Sequence, residues 1–328
     1  MSDTFTALVV DRLEDKHCVE IRDFAQADLM DGDVTVTVKH STVNYKDGLA
    51  ITGKAPIVRR FPLIPGIDFS GRVTASSNET FTVGDCVILN GWGVGEQHHG
   101  GLAQVARVPG KWLVPLPAAF TTFQAMAIGT AGYTAMLCVM ALEDAGLTSG
   151  AGEILVTGAS GGVGSVAISL LSQLGYSVIA CTGRPQEESY LKQLGAKDLI
   201  SREELSGSPK PLGKMRWAGA VDAVGSKVLA NVLSQIHYGG AVAACGLAQG
   251  IDLPGSVAPF ILRAVKLIGV DSVQCPMPRR KQAWERLARD LDVKKLEAIA
   301  QRASLSEVPE LAEEIVAGKI RGRVVVDI

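Results

Sequence analysis

The sequence has little net charge: 32 Lys and Arg nearly balance 34 Asp and Glu, leaving a formal charge of −2. No basic field therefore argues for nucleic acid or an anionic membrane surface as partner. The N-terminus has no charged-then-apolar signal pattern. The six cysteines, Cys18, Cys86, Cys138, Cys181, Cys245 and Cys275, stand singly without a C-x-x-C pair. That spacing argues against a disulfide framework and for reduced, buried thiols. Of the five histidines only His98 and His99 are adjacent, and neighbouring histidines rarely share one ion, so no metal is expected. One uncharged stretch, 123–142, is long enough to span a bilayer. It is rich in Gly, Ala and Thr and is interrupted by Gly129-Thr-Ala-Gly132, so it reads as two buried helices meeting at a domain junction. Internal repeats and low-complexity segments are missing too. These absences point to an ordinary cytoplasmic globular protein, and a chain of 328 residues suggests two domains.

What is present centres on Glu153-Ile-Leu-Val-Thr-Gly158-Ala-Ser-Gly161-Gly162-Val-Gly164, a short apolar strand, a glycine-rich turn and a helix start. Strand, turn and helix in that order place backbone N–H groups and the positive end of a helix dipole where a phosphate can sit. Gly158, Gly161 and Gly164 are spaced by three, which departs from the strict G-x-G-x-x-G pattern. A glycine-rich turn without a ligand is the competing reading, and the flanks decide between them. Tyr176–Cys181 follows as a second buried strand. Where an NAD-specific site carries an acid for the ribose 2′-hydroxyl, this chain has Thr182-Gly183-Arg184. A guanidinium without an adjacent carboxylate suits a 2′-phosphate, so the cofactor expected is NADPH.

Earlier in the chain, Phe5–Val10 and Val34–His40 read as strands, the second alternating Val34, Val36 and Val38 with Thr35, Thr37 and Lys39. Asn44-Tyr45-Lys46-Asp47 opens a helix with four polar groups together. Lys46 reads as a surface charge, whereas Asn44, Tyr45 and Asp47 are catalytic candidates. Short strands continue to about Pro117, and the glycine-rich loop 90–101 with Trp92 could cover a cleft flexibly. From Phe123 onward helices alternate with apolar strands at 153–157, 177–181, 218–224, 241–245 and 267–273. This alternation indicates a doubly wound parallel sheet, class α/β. The tail should hold helices at 280–291 and 308–317 and a closing strand, 323–328, that returns to the first domain.

The order of β domain, Gly129–Ala135, Thr157–Gly164 and returning tail resembles the medium-chain dehydrogenase/reductase superfamily, in its zinc-free quinone-reductase branch. Zinc-dependent members carry Gly-His-Glu where this chain has Gly66-Ile67-Asp68, and a four-cysteine lobe it lacks. Asn44–Asp47, Pro65–Phe69, Gly91–Glu96, Thr182–Arg184, Pro259–Arg263 and Gly269–Val273 together are similar to the NADPH-dependent acryloyl-CoA reductase family, over nearly the whole chain. The resemblance implies a Rossmann-type doubly wound sheet plus an N-terminal GroES-like β domain completed by the C-terminal segment. The implied domains are 1–125 with 274–328, and 126–273. It implies reduction of acryloyl-CoA to propanoyl-CoA. By the same resemblance NADPH would be contacted by Tyr45, Ser160, Gly161, Gly162, Val163, Thr182, Gly183, Arg184, Arg202, Leu247, Ile261 and Ser272. Relatives often carry Ser at the position of Thr182. A homodimer or higher homo-oligomer is implied, for which 265–273 could supply an edge strand.

The chemistry expected is a 1,4-reduction in which the protein orients the cofactor and stabilises an enolate. Tyr45 would serve as hydrogen-bond donor or proton relay, Asn44 would orient the carbonyl, and Asp47 would position Tyr45 or a water. A structural network holding these residues is the competing reading. Arg59-Arg60 and Arg279-Arg280-Lys281 are basic groups available to coenzyme A phosphates, though such groups are more often merely solvated. A quinone or small-enone reductase, and an NADPH-binding protein without turnover, remain the rival functions.

Overall fold

A computed structural model describes residues 4–14 and 16–328. The chain divides into two compact units, the first built from Met1–Thr130, Ser272–Lys281 and Ala300–Ile328, the second from Ala131–Asp271 and Gln282–Ile299. Residues 282–299 thus go with the second unit, not with the rest of the tail. The reason lies in two ties: Arg286 bonds Glu143, and Trp284 stacks on Tyr133 with centroids 6.4 Å apart.

In the first unit Thr4–Leu13 (β1) and Lys16–Ala25 (β2) form an antiparallel hairpin. Val34–Thr42 (β3) follows, its valines buried and Thr35 and Thr37 half-exposed, as period-2 alternation requires. Helix Tyr45–Thr52 (α1) leads to Asp68–Ser76 (β4), Cys86–Asn90 (β5), Val105–Val108 (β6) and Val114–Pro115 (β7). Helix Thr122–Asp144 (α2) then breaks at Gly129, whose backbone sits at φ 50°, ψ −160°. The apolar stretch is therefore two helical pieces, with 89% of its most apolar window buried, which is the setting of a core helix.

The second unit runs Glu153–Thr157 (β8), Gly162–Gln173 (α3), Ser177–Thr182 (β9), Glu188–Leu194 (α4), Asp198–Ser201 (β10) and Trp217–Asp222 (β11). It continues with Ser226–Ser234 (α5), Ile236–Ala244 (β12), Ala258–Arg263 (α6) and Lys266–Gly269 (β13), and takes up again within Met277–Asp290 (α7), from Gln282 onward, and Val293–Ile299 (α8). Its six strands are parallel in the order β10-β9-β8-β11-β12-β13. Counted from β8 this is 3-2-1-4-5-6, the doubly wound order whose switch point lies between the first and fourth strands. Leu155, Ile179, Trp217 and Val242 pack there against Val228, Val232 and Leu233 of α5.

The chain returns to the first unit as Ala300–Ser304 (β14), Val308–Val316 (α9) and Arg323–Asp327 (β15). β15 pairs antiparallel with β3 and parallel with β14, so the tail completes a sheet of order β14-β15-β3-β4-β5-β7. Helix α9 packs on α1, where Gly48 leaves room for Ile315 and Val316.

Candidate functional site

In the second unit the glycine turn sits at the C-terminal end of β8, beside the switch point. Gly158 adopts φ 60°, a left-handed conformation that L side chains resist. Gly161 caps α3, and Gly162 and Val163 form its first turn, leaving N–H donors at the helix start. A Cβ on Gly164 would strike the Gly158 carbonyl and lie 2.7 Å from the Ala159 Cα, so glycine there lets the helix close on the strand. Asp222, buried at the end of β11, supports this turn from below. It accepts from the Thr157 hydroxyl at 2.6 Å and from the Gly225 N–H at 2.8 Å. Burial pushes its carboxyl above the ordinary range.

Ser160, Thr182 and Arg184 converge at the end of β9. The Arg184 Nε donates to Ser160 Oγ at 3.1 Å, its Nη2 to the Ser160 carbonyl at 3.4 Å, and its backbone N–H to Thr182 Oγ1 at 3.0 Å. Thr182 and Ser160 hydroxyls lie 3.4 Å apart. The Arg202 guanidinium lies against Gly183, where a Cβ would come within 2.8–3.0 Å of it. Thr182, Arg184, Ser160 and Arg202 thereby gather two guanidinium groups and two hydroxyls around Gly183. This donor-rich set fits a phosphate on the ribose of a dinucleotide held at the α3 N-terminus. Leu247 follows β12, and a Cβ on Gly225 would lie 3.5 Å from its Cα. Ile261 is 73% exposed on α6.

The first unit holds Tyr45, Asn44, Asp47 and Ser272. Tyr45 starts α1 and is 43% exposed. Asn44 and Asp47 are buried within a polar network. The Asn44 backbone N–H donates to Asp47 Oδ2 at 2.8 Å, and the Ile67 N–H to Asp47 Oδ1 at 2.9 Å. The Asn44 amide donates towards Asp47, Asp68 and Thr42, while its oxygen accepts from Arg323 Nη1 at 2.9 Å. Burial, and then the Asp68 charge, push the Asp47 carboxyl up to about 7. Arg323 and Asp68 were not among the candidate site residues. An Arg inside a closing strand and an Asp at a strand start carry no local signal that both will bond the Asn44 amide.

Two sequence expectations change. The loop 90–101 is stitched in place rather than loose: Trp92 N–H bonds the Val273 carbonyl at 3.1 Å, and Gly100 N–H that of Ile64 at 2.7 Å. Arg280, considered for coenzyme A phosphates, is fully buried. Its guanidinium donates to the carbonyls of Asn90, Ser272 and Val273 and lies 4.7 Å from the Trp92 ring centroid. Lys46 pairs with Glu96 at 2.9 Å.

A doubly wound sheet with a glycine turn and two guanidinium groups beside the end of β9, on a chain that also builds a β unit completed by its tail, defines the class: a dinucleotide-dependent oxidoreductase. Residues 30–118 match the alcohol dehydrogenase GroES-like domain, and 162–289 the zinc-binding dehydrogenase family. Acrylyl-CoA reductase AcuI of Ruegeria pomeroyi is 54% identical over 327 residues, 99% of each chain. The putative quinone oxidoreductase YhfP of Bacillus subtilis is 47% identical over 328 residues, again 99% of each. The yhdH oxidoreductase of Salmonella enterica, solved in complex with NADP, superposes with a TM-score of 0.97 at 53% identity, covering 98% of this chain and 99% of that one. The chain belongs to the medium-chain dehydrogenase/reductase superfamily and, within it, to the acrylyl-CoA reductase family. The zinc of the second family's name does not fit the residues present. Among the described residues no group of three or more His, Cys, Asp or Glu could hold an ion. Asp68, next to Ile67, already accepts from Thr42, Asn44 and the Thr130 N–H.

Proposed function

We propose that this protein reduces the carbon–carbon double bond of acryloyl-CoA to give propanoyl-CoA, with NADPH as reductant. The observation that carries the reading is full-length identity of 54% to acrylyl-CoA reductases combined with the Ser160–Thr182–Arg184–Arg202 pocket. When bound, NADPH would supply a hydride to the β-carbon of the thioester and the α-carbon would take one proton, so that the hydride, with its two electrons, and the proton together add two hydrogens across the double bond. Arg184 and Arg202 grip the 2′-phosphate, and the α3 N-terminus (Ser160, Gly161, Gly162, Val163) faces the pyrophosphate. Leu247, Ile261 and Ser272 make further cofactor contacts. Tyr45, the exposed member of its cluster, donates a hydrogen bond at the reacting end. Asn44 and Asp47 act beneath it, because their polar atoms are engaged in the buried network.

The same reading makes the enzyme independent of metal, cytoplasmic and homo-oligomeric. β13 is an edge strand of the parallel sheet, Leu267 is exposed on it and Leu262 on the preceding α6, a surface suited to a second copy of the chain. Quinone reduction is the second reading, favoured by the 47% identity to the Bacillus subtilis protein. Oxidation of NADPH is to be followed with acryloyl-CoA, crotonyl-CoA and a simple quinone, and NADH tested in parallel. Turnover confined to acryloyl-CoA with NADPH supports the assignment, whereas quinone turnover without thioester turnover replaces it with the second reading.

A further inference from the structure

Arg323 is a buried guanidinium delivered by the last strand of the chain, and each of its three nitrogens donates to a named acceptor. Nη1 reaches Asn44 Oδ1 at 2.9 Å, Nη2 reaches Thr42 Oγ1 at 2.8 Å, and Nε reaches the Ala127 carbonyl at 3.2 Å. The first of these bonds settles which way the Asn44 amide points: the oxygen faces the cation, and the NH2 group faces Asp47 and Asp68. Asp68 in turn accepts from the Thr130 N–H at 2.6 Å, immediately after the break in α2. Gly129 is the residue that makes room. A Cβ there would run into Arg323 Nη2 and lie 2.9 Å from Asp68 Oδ2.

From this arrangement we infer that Arg323 and Asp68 are positioning residues for the reduction, acting through Asn44 and Asp47 to hold the first turn of α1 and so the place of Tyr45. The inference rests on the function proposed above. Asp47 is the link. Each of its oxygens accepts a backbone N–H, one from Asn44 and one from Ile67. A proton on either oxygen weakens that oxygen as an acceptor, so the ionised carboxylate holds the helix start more firmly than the neutral one. The charged groups that face Asp47 are Asp68 on β4, which opposes its ionisation, and Arg323 on β15, which favours it. From α9 the neighbours at Gly48 are the Ile315 and Val316 side chains and the Ala312 carbonyl, and Lys46 turns to Glu96. With the carboxyl raised to about 7, the cap should form on the alkaline side of neutrality and loosen below it.

The test uses the full-length enzyme and two readouts over a pH series. One is amide hydrogen exchange at the α1 start, reported by the Gly48 N–H that bonds the Asn44 carbonyl at 3.0 Å. The other is kcat for acryloyl-CoA. Asp68→Asn removes the like charge, and Arg323→Gln removes the opposite one. The midpoint of both profiles should move to lower pH in the first and to higher pH in the second, each by roughly one unit or more. Arg323→Lys, which keeps the charge, should stay near the wild-type midpoint and decides the matter with Asp68→Asn if Arg323→Gln does not fold. In a Tyr45→Phe background the kcat differences among these variants should vanish. Coincident midpoints in all variants overturn the inference. So does exchange that moves without kcat, or kcat losses that persist in full with Phe at position 45. Failure of the functional reading looks different: wild-type enzyme then shows no thioester turnover, while the exchange profiles still report on the network.

Discussion

Replacing Arg184 by Ala should change which nicotinamide cofactor the enzyme prefers without disabling it. The guanidinium is held in advance by the Ser160 hydroxyl and carbonyl at 3.1 and 3.4 Å, so little side-chain freedom is lost when a phosphate arrives. A hydrogen bond to a charged group contributes about 1.5–3 kcal/mol. At about 1.4 kcal/mol per factor of ten, the loss is roughly 10- to 150-fold in kcat/KM for NADPH. Arg202 remains beside Gly183 and keeps the residual affinity above zero. NADH lacks the 2′-phosphate and should lose almost nothing. Steady-state kcat/KM for the two cofactors, with acryloyl-CoA saturating, gives the ratio directly, and fluorescence titration of NADPH separates binding from turnover. An equal fall for NADH and NADPH would mean that Arg184 supports the fold of the turn. No fall for either would remove it from the site.

Gly164→Val should lower stability by about 1–3 kcal/mol, since its Cβ has no space between α3 and the turn, and thermal unfolding will read the loss. Asp47 gives a pH prediction with a definite sign. Its carboxyl lies near 7 in the folded protein against an ordinary 3.8. The native state therefore binds the extra proton between these values, and stability falls as pH rises through that window, by about 4 kcal/mol in total. Urea unfolding of wild type and Asp47→Asn at several pH values isolates this slope. His99, held down to about 4 by burial, contributes with the opposite sign in both proteins and cancels. A difference between the two proteins that stays constant with pH would contradict the assignment. Leu267→Lys on the β13 edge should shift sedimentation of the protein towards a monomer, and an unchanged sedimentation coefficient would place the oligomer contact elsewhere.

The sequence by itself determined the local chemistry. Positions where only glycine fits mark the turn at Gly158–Gly164, because backbone conformation and close approach are decided by immediate neighbours. Alternation in β3 and the apolar strands after Phe123 marked the two kinds of sheet, since their periods follow from whether one face or both are covered. Thr182-Gly183-Arg184 showed the missing acid and the guanidinium at the end of a strand. Tertiary structure alone decided what required distant residues to meet. Arg280 reads as one of three surface cations, yet its guanidinium is buried against carbonyls 190, 8 and 7 residues away. Asn44 and Asp47 read as catalytic candidates with a structural network as the competing reading, and only the fold shows that Arg323, Asp68 and Ile67 engage their polar atoms. No local pattern encodes such pairings: a buried charge is stabilised by whichever partner the fold brings within hydrogen-bonding distance, and that partner is chosen when the closing strand joins its sheet.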